Sequence, residues 1–238
     1  MLNILTEFAK TINLDISKKQ LGQLETFGTF LAEKNKSLNL TAIDDLHEIE
    51  IKHFVDSLEA VPLIEELKPD DRFSLADVGT GAGFPGLPLK IIYPAAEFML
   101  LDSLRKRVHF LSEATELLEL ENISCMAARA EELGRTDARE HFDFCTSRAV
   151  AQMNVLLEYC LPLVKRGGYC LLYKSGEYRK ELEAAENALG ILGGSLEQVY
   201  TFELPENSGS RSIIVIKKTG ETPDKYPRRP GKPRKSPL

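Results

Sequence analysis

The sequence predicts an α/β fold with a seven-stranded, mostly parallel sheet, helices on both faces, a terminal antiparallel strand and an N-terminal helical cap. Three observations predict it. Short apolar runs alternate with amphipathic helical stretches from Arg72 onward, the pattern of βα units in a parallel sheet. A glycine-rich loop, Gly79-Thr80-Gly81-Ala82-Gly83, follows the first of those runs. The last two apolar runs are joined by a link too short for a helical crossover, so they pair antiparallel.

The elements read as follows. Leu5, Phe8, Ala9 and Ile12 recur at helical spacing. Ser17-Lys18-Lys19-Gln20 has the form of a capping box, and Leu21, Leu24, Phe27 and Leu31 continue one stripe after it. A turn through Asn35–Thr41 leads to a third helix with Ile51, Phe54, Leu58 and Val61 on its apolar face, which Pro62 is expected to end. Phe73–Val78 is the first strand and Glu97–Asp102 the second, after which Ser103 should cap a helix holding Val108, Leu111 and Leu118. Ile123–Ala128 and Phe142–Ala149 are the third and fourth strands. A helix from about Gln152 ends before Arg166-Gly167-Gly168. Tyr169–Tyr173 is the fifth strand, Glu177–Leu192 a helix, and Leu196–Phe202 and Ser212–Lys217 the final pair. Thr219–Leu238, with five prolines, reads as an extended, linker-like tail. The expected division is 1–68 for the helical cap, 69–218 for the sheet domain and 219–238 for the basic, proline-rich tail.

Composition narrows the class. The chain has 238 residues and a net charge of −6, enough for one large domain with an appendage. Its last fourteen residues hold six Lys/Arg and no acid, leaving 24 basic against 36 acidic side chains before them. A basic tail on an acidic body points to a polyanionic partner. No stretch approaches the ~20 apolar residues that span a bilayer, and Met1–Lys10 lacks the basic start of a secretory leader, so a cytoplasmic protein without membrane contact is expected. The four cysteines, Cys125, Cys145, Cys160 and Cys170, form no C-x-x-C pair and read as buried small apolar residues. The four histidines show no metal-ligand spacing, so no metal is expected.

Ligands of such sheets bind at the carboxyl ends of the strands. Asp77 closes the first strand. Gly79, Gly81 and Gly83 let the backbone turn tightly and approach a ligand, and Pro85 suits a first helical position. Asp102 closes the second strand, where a carboxylate accepts hydrogen bonds from ribose hydroxyls. The loop alone leaves two cofactors open. Gly81-Ala82-Gly83-Phe84-Pro85-Gly86 satisfies G-x-G-x-x-G, which suits a nicotinamide dinucleotide. The early clustering of glycines suits S-adenosyl-L-methionine instead, and the acid before them, Asp77, suits a ligand bearing an ammonium and a sulfonium but would repel a pyrophosphate. Together with Asp102 and the terminal strand pair, these features favour the methyl donor and the class I (Rossmann-like) methyltransferase version of the fold. A binding module that keeps this fold without catalysis is the third reading.

Further candidates lie at other strand ends. Arg129-Ala130-Glu131-Glu132 follows the third strand, where a residue can meet an adenine edge or simply open a helix. Ser147-Arg148-Ala149 ends the fourth, and Arg148 is placed to hold a donor carboxylate or a substrate phosphate, or to pair with a neighbouring acid. His53, Asp56 and Ser57 share one helical face. Three such residues on one helix are not held in nucleophile–base geometry, so they read as a polar face covering the cofactor pocket. Arg211, before the last strand, and the basic tail residues Lys225, Arg228 and Arg229 are candidate contacts to RNA phosphates.

The string Asp77-Val78-Gly79-Thr80-Gly81-Ala82-Gly83-Phe84-Pro85-Gly86-Leu87-Pro88-Leu89, with Leu101-Asp102-Ser103 and Lys106-Arg107 behind it, resembles the RsmG (GidB) family. These are the bacterial 16S ribosomal RNA guanine-N7 methyltransferases. The flanks agree, namely Asn39-Leu40-Thr41, Lys52-His53, Asp56-Ser57, Arg129-Ala130-Glu131-Glu132, Ser147-Arg148-Ala149 and Tyr226-Pro227-Arg228-Arg229-Pro230-Gly231. The resemblance covers nearly the whole chain. It implies S-adenosyl-L-methionine as cofactor, with contacts at Gly79, Phe84, Ala130, Glu131 and Arg148. It also implies 16S rRNA as partner. An acidic body with few aromatics suggests weak binding to naked RNA, so a preassembled 30S particle is the expected substrate. Guanine N7 has an in-plane lone pair and no proton to lose, so transfer needs neither a general base nor a covalent intermediate. Arg148 and His53 are then candidates for positioning only. An RNA base must leave its stack to be reached.

Overall fold

A computed structural model describes residues 2–68 and 70–238. The expected boundary between 68 and 69 falls on Pro69, outside the described residues.

Helix α1 (Asn3–Thr11) and the long α2 (Lys18–Leu38) open the chain. Ser17 caps α2 reciprocally with Gln20, as the local sequence predicts. The third helical run is not one α-helix. A turn α3 (Leu46–Ile49) passes into a π-helical turn, Glu50–Val55, and back to α4 (Asp56–Leu58). Pro62 does not end this run. It sits in the first turn of α5 (Val61–Leu67), where a proline's missing N–H leaves nothing unpaired.

The sheet comprises β1 (Ser74–Val78), β2 (Glu97–Asp102), β3 (Ile123–Ala127), β4 (Phe142–Arg148), β5 (Val164–Ser175), β6 (Gly194–Glu203) and β7 (Ser210–Lys218). Their order is β3-β2-β1-β4-β5-β7-β6. The pairs β1–β2, β1–β4, β2–β3 and β4–β5 are parallel. Strand β7 is antiparallel to both β5 and β6 and fills the slot between them. The antiparallel strand is therefore last in the chain but second from the sheet edge. The helices between strands are α6 (Gly86–Ile92), α7 (Arg105–Leu117), α8 (Ala130–Leu133), α9 (Met153–Cys160), α10 (Arg179–Glu183) and α11 (Glu186–Leu192), and α12 (Lys232–Lys235) closes the tail. The predicted helix 177–192 is thus two short helices.

Strand residues alternate between two cores, as the two-residue period of a strand requires. Leu75, Phe98, Leu100, Phe144, Leu171, Tyr173, Ile213 and Val215 face the N-terminal helices, α6 and α7. Ala76, Val78, Leu101, Cys145, Cys170, Leu172, Ile214 and Ile216 face α8, α9, α11 and the tail residue Tyr226. The N-terminal helices thus share one continuous apolar core with the sheet. Cys145, Cys160 and Cys170 are buried and Cys125 half-buried. Among the described residues no helix is long and apolar enough to cross a membrane.

The tail is not extended. Tyr226, Pro227 and Pro233 are buried. Arg139 donates to the carbonyls of Tyr226, at 2.8 Å, and Thr222, at 2.5 Å, and Arg135 donates to that of Pro227 at 2.5 Å. Proline content predicts a chain that cannot pair its own backbone; here arginines of the body satisfy the tail's carbonyls instead.

Candidate functional site

The glycine loop continues the β1–β2 ladder: Gly79 and Thr80 donate to the Leu101 carbonyl at 2.8 and 3.1 Å. Gly79 has a φ of +71°, and a Cβ there would lie 2.3 Å from Val150 Cγ2. Glycine is therefore required twice, by backbone conformation and by the approach of Val150.

Asp77 is wholly buried. Its Oδ2 accepts from the Gly86 backbone at 2.9 Å and its Oδ1 from the Thr146 hydroxyl at 2.9 Å. Burial raises its pKa to about 6, against hydrogen bonding that stabilises the anion. The Thr80 hydroxyl stands near enough to favour the anion, but it is not aligned as a hydrogen bond and stays unpartnered. A sequence reading that aims this carboxylate at a cationic ligand needs correction. The side chain points behind the loop and ties the start of α6 to β4, and it lines neither cavity described below.

Asp102 does line a cavity, of about 230 Å³, with Gly79, Ser103, Ala128, Arg129, Ala130, Glu131, Val150, Tyr159 and Arg234. Its Oδ2 accepts from Gly81 N at 3.1 Å and lies 3.3 Å from Arg107 Nη1, and its Oδ1 accepts from Leu104 N at 2.9 Å. Ser103 does not cap α7. Leu104 occupies the cap position, and the Asp102 carboxylate takes the Leu104 N–H. Asp102 thus joins the glycine loop to α7 and keeps acceptor capacity toward the cavity. Ala130 and Glu131 form the first turn of α8 and are buried, and Glu131 Oε1 accepts from Gly231 N at 2.9 Å.

A second cavity, of about 580 Å³, opens beyond the ends of β4 and β5. Lys52, His53, Asp56, Arg148, Val150, Tyr173, Lys174, Glu181 and Arg211 are among its walls. Val150 lines both cavities and stands between them. Arg148 is the centre of its polar wall. Its Nη1 donates to Asp56 Oδ2 at 2.5 Å and to the Lys52 carbonyl at 3.2 Å, its Nη2 meets His53 Nδ1 at 3.0 Å, and its guanidinium lies 5.1 Å from the Phe84 ring centre. Phe84 in turn stacks on His53, with centres 4.3 Å apart. The π-helical turn places His53 and Asp56 together on Arg148; such turns commonly mark functional positions.

Burial, and then the charge of Arg148, hold the His53 pKa down to about 3. The ring is neutral at physiological pH. A guanidinium only donates, so Nδ1 is the acceptor and the proton sits on Nε2, 3.0 Å from Thr41 Oγ1. The Lys52 carbonyl, 3.0 Å from the same Nδ1, is then a neighbour of His53 and a hydrogen-bond partner of Arg148. Ser57 is buried and its hydroxyl returns to the His53 carbonyl at 2.6 Å. Of the three polar residues expected as a cover over the cofactor pocket, His53 and Asp56 line the larger cavity and hold Arg148, while Ser57 is buried behind them. Arg211 Nε lies 4.0 Å from Asp56 Oδ1 at the rim of the cavity.

The structure brings Gly79, Gly81, Phe84, Asp102, Ala130, Glu131, Arg148 and His53 to one end of the sheet. It separates the tail candidates. Lys225 and Arg229 are exposed, whereas Arg228 turns inward and grips the buried Glu158 through its Nε, at 2.9 and 3.1 Å, and its Nη2, at 2.5 Å. Tyr159, Val150 and Arg234 line the smaller cavity with no signal in the local sequence. Glu158 carries one signal, an acid among apolar residues of a helix.

The family model described as GidB, rRNA small subunit methyltransferase G, matches residues 20–213. A protein of Staphylococcus saprophyticus named ribosomal RNA small subunit methyltransferase G is 46% identical over 98% of this chain and 97% of its own. One of Lachnoclostridium phytofermentans with the same name is 51% identical over 96% and 94%. Among solved structures, the ribosomal protein L11 methylase from Lactobacillus delbrueckii subsp. bulgaricus superposes with a TM-score of 0.52 at 18% identity, over 71% of this chain and 79% of that one. M. jannaschii TYW2 in complex with AdoMet gives 0.51 at 16% identity, over 64% and 73%. At these identities the structures share the fold.

Proposed function

Because the chain belongs to the rRNA small subunit methyltransferase G (GidB) family, we propose that it transfers a methyl group from S-adenosyl-L-methionine to N7 of a guanine in 16S rRNA. The observation that supports this reading is the pair of cavities at the carboxyl ends of the strands, separated by Val150: one walled by Asp102 and Glu131, the other by Arg148 and Arg211. The smaller takes the adenosine half of the donor, with Asp102 on the ribose hydroxyls and Ala130 and Glu131 beside the base. The larger takes the target base and its phosphate. The bound donor supplies an electrophilic methyl on a sulfonium; the protein's part is to align it with N7 and exclude water.

That division of labour asks little acid–base chemistry of the chain. Guanine N7 presents a lone pair without a proton. His53, neutral and with its Nδ1 lone pair directed at Arg148, is a positioning residue. Arg148, held by Asp56, Lys52 O and His53, keeps a planar fork at the cavity wall for a carboxylate or phosphate. Gly79, Gly81 and Phe84 shape the loop on which the donor's methionine half rests. The exposed Lys225 and Arg229, with Arg211 at the rim, hold RNA backbone phosphates, and the substrate is a preassembled 30S particle in the cytoplasm, since an acidic body binds naked RNA weakly. Segment 1–68 serves as the cap over the larger cavity.

The test is a map of N7-methylguanine in 16S rRNA from cells with and without the gene, which should differ at one guanine; an unchanged map overturns the target. Asp102→Ala should weaken donor binding by about 1–3 kcal/mol, the scale of leaving hydroxyls unpaired, read by calorimetry.

A further inference from the structure

Two carboxylates on the body are buried, and their hydrogen bonds come from the C-terminal tail. Glu158, on α9, is fully buried, and its oxygens accept from the Arg228 backbone N at 2.7 Å and from the Arg228 side chain. Glu131, on α8, is buried and accepts from Gly231 N. A carboxylate taken out of water without a partner is costly, so the body is built to receive this tail. Position 134 makes the same point: a Cβ on Gly134 would lie 2.9 Å from Pro227 Cγ. The tail then continues to the smaller cavity. Gly231 adopts φ +79°, α12 follows, and Arg234 donates to the Val150 carbonyl at 2.9 Å while lining the cavity opposite Asp102.

We propose that residues 231–238 form the outer wall of the methyl-donor cleft, and that Arg234 is a donor-positioning residue. This rests on the assignment of that cleft made above. Gly231 N–H orients Glu131 by one oxygen and leaves Oε2 toward the adenosine. Arg234 bridges the cleft to Val150, the residue that divides donor from substrate, and its guanidinium offers a flat surface to a purine ring. The tail's basic residues therefore divide by role: Arg228 anchors, Arg234 closes the cleft, and Lys225 and Arg229 remain turned to solvent.

The experiment measures S-adenosyl-L-methionine binding by calorimetry, without RNA, for the full chain, for a chain ending at Pro230, and for Arg234→Ala and Arg234→Lys. The chain ending at Pro230 keeps the Arg228–Glu158 anchor. Arg234 is exposed, so its substitution should leave the melting temperature unchanged. The expected result is a loss of donor affinity of tenfold or more on truncation and of several-fold for Arg234→Ala, with recovery in Arg234→Lys; in a separate turnover assay on 30S particles, Arg234→Ala raises the donor KM at nearly unchanged kcat. Donor affinity equal to that of the full chain in both the truncated form and Arg234→Ala overturns the proposal. A full chain that binds no donor would instead overturn the functional reading on which it rests.

Discussion

Asp77→Asn separates two roles for the acid before the glycine loop. The carboxylate is wholly buried and accepts from Gly86 N and the Thr146 hydroxyl. Asparagine has the shape of the protonated acid. Its oxygen can take the Gly86 N–H and its amide can donate to Thr146 Oγ1, once that hydroxyl rotates. The magnitude follows from linkage. The native carboxyl titrates at about 6 and its unfolded reference at 3.8, a rise of about 2 units, or about 3 kcal/mol at 1.36 kcal/mol per unit. The folded pKa is the higher one, so the unfolded chain loses its proton first as pH rises. Wild-type stability therefore falls between pH 4 and pH 6 and is level above. Asparagine carries no such proton. Asp77→Asn should match wild type at pH 4 and exceed it by up to about 3 kcal/mol at pH 7.5, read as a shift of the urea midpoint at constant slope. Donor affinity should be unchanged, because the carboxylate reaches neither cavity. A mutant less stable at pH 7.5 would refute the linkage argument, and one that folds normally but binds donor more than tenfold worse would return Asp77 to direct contact with the donor's ammonium.

Gly79→Ala puts a Cβ against Val150 at a positive φ, and should cost about 2–4 kcal/mol by adding left-handed strain to overpacking; denaturant titration reads the stability, and calorimetry should show donor affinity falling with it. Asp56→Asn removes the carboxylate 2.5 Å from Arg148 Nη1. A cost of about 3 kcal/mol is expected for breaking so buried a pair, with reduced turnover on ribosomal particles; a loss under about 1 kcal/mol would mean the pair is solvent-screened. Glu59, which accepts from Tyr200 Oη at 2.9 Å, has its pKa raised by burial to about 7 from 4.5. Its folded pKa is again the higher, so Glu59→Gln should equal wild type at pH 4.5 and gain about 2 kcal/mol above pH 8, after allowing for screening by water in a separate surface cavity that Glu59 lines with Phe8, Tyr200 and Glu203.

Much of the fold was legible because its signals are local. Glu97–Asp102 has the bounds the apolar run predicts, and Ser17 with Gln20 caps α2 as the four-residue pattern says. Antiparallel pairing of the last two strands follows from the length of their link. The failures are also physical. Pro62 is compatible with either side of a helix boundary. Ser103 is a good cap residue, displaced by a carboxylate one position earlier that reaches Leu104 N. Arg228 reads as a free basic residue of a tail because its partner, Glu158, lies 70 positions away.

The same distinction runs through the site. Residue types at strand ends pointed to the class of ligand: the glycines that permit close backbone approach, Asp102 placed for a ribose, and an arginine at the end of β4. Their orientation was decided by packing. A strand end presents a side chain to one face or the other of the sheet, and only the assembled neighbours determine what it meets there. Asp77 meets Gly86 N and Thr146 and turns from the ligand. His53 meets Arg148 and is held neutral. The tail, open and solvated by composition, is drawn in because buried carboxylates on α8 and α9 need the N–H groups it carries. Hydrogen-bonding capacity is a property of each residue and can be read along the chain. Which donor satisfies which acceptor is a property of the folded whole, because burial makes unpaired groups costly only once the chain has closed around them.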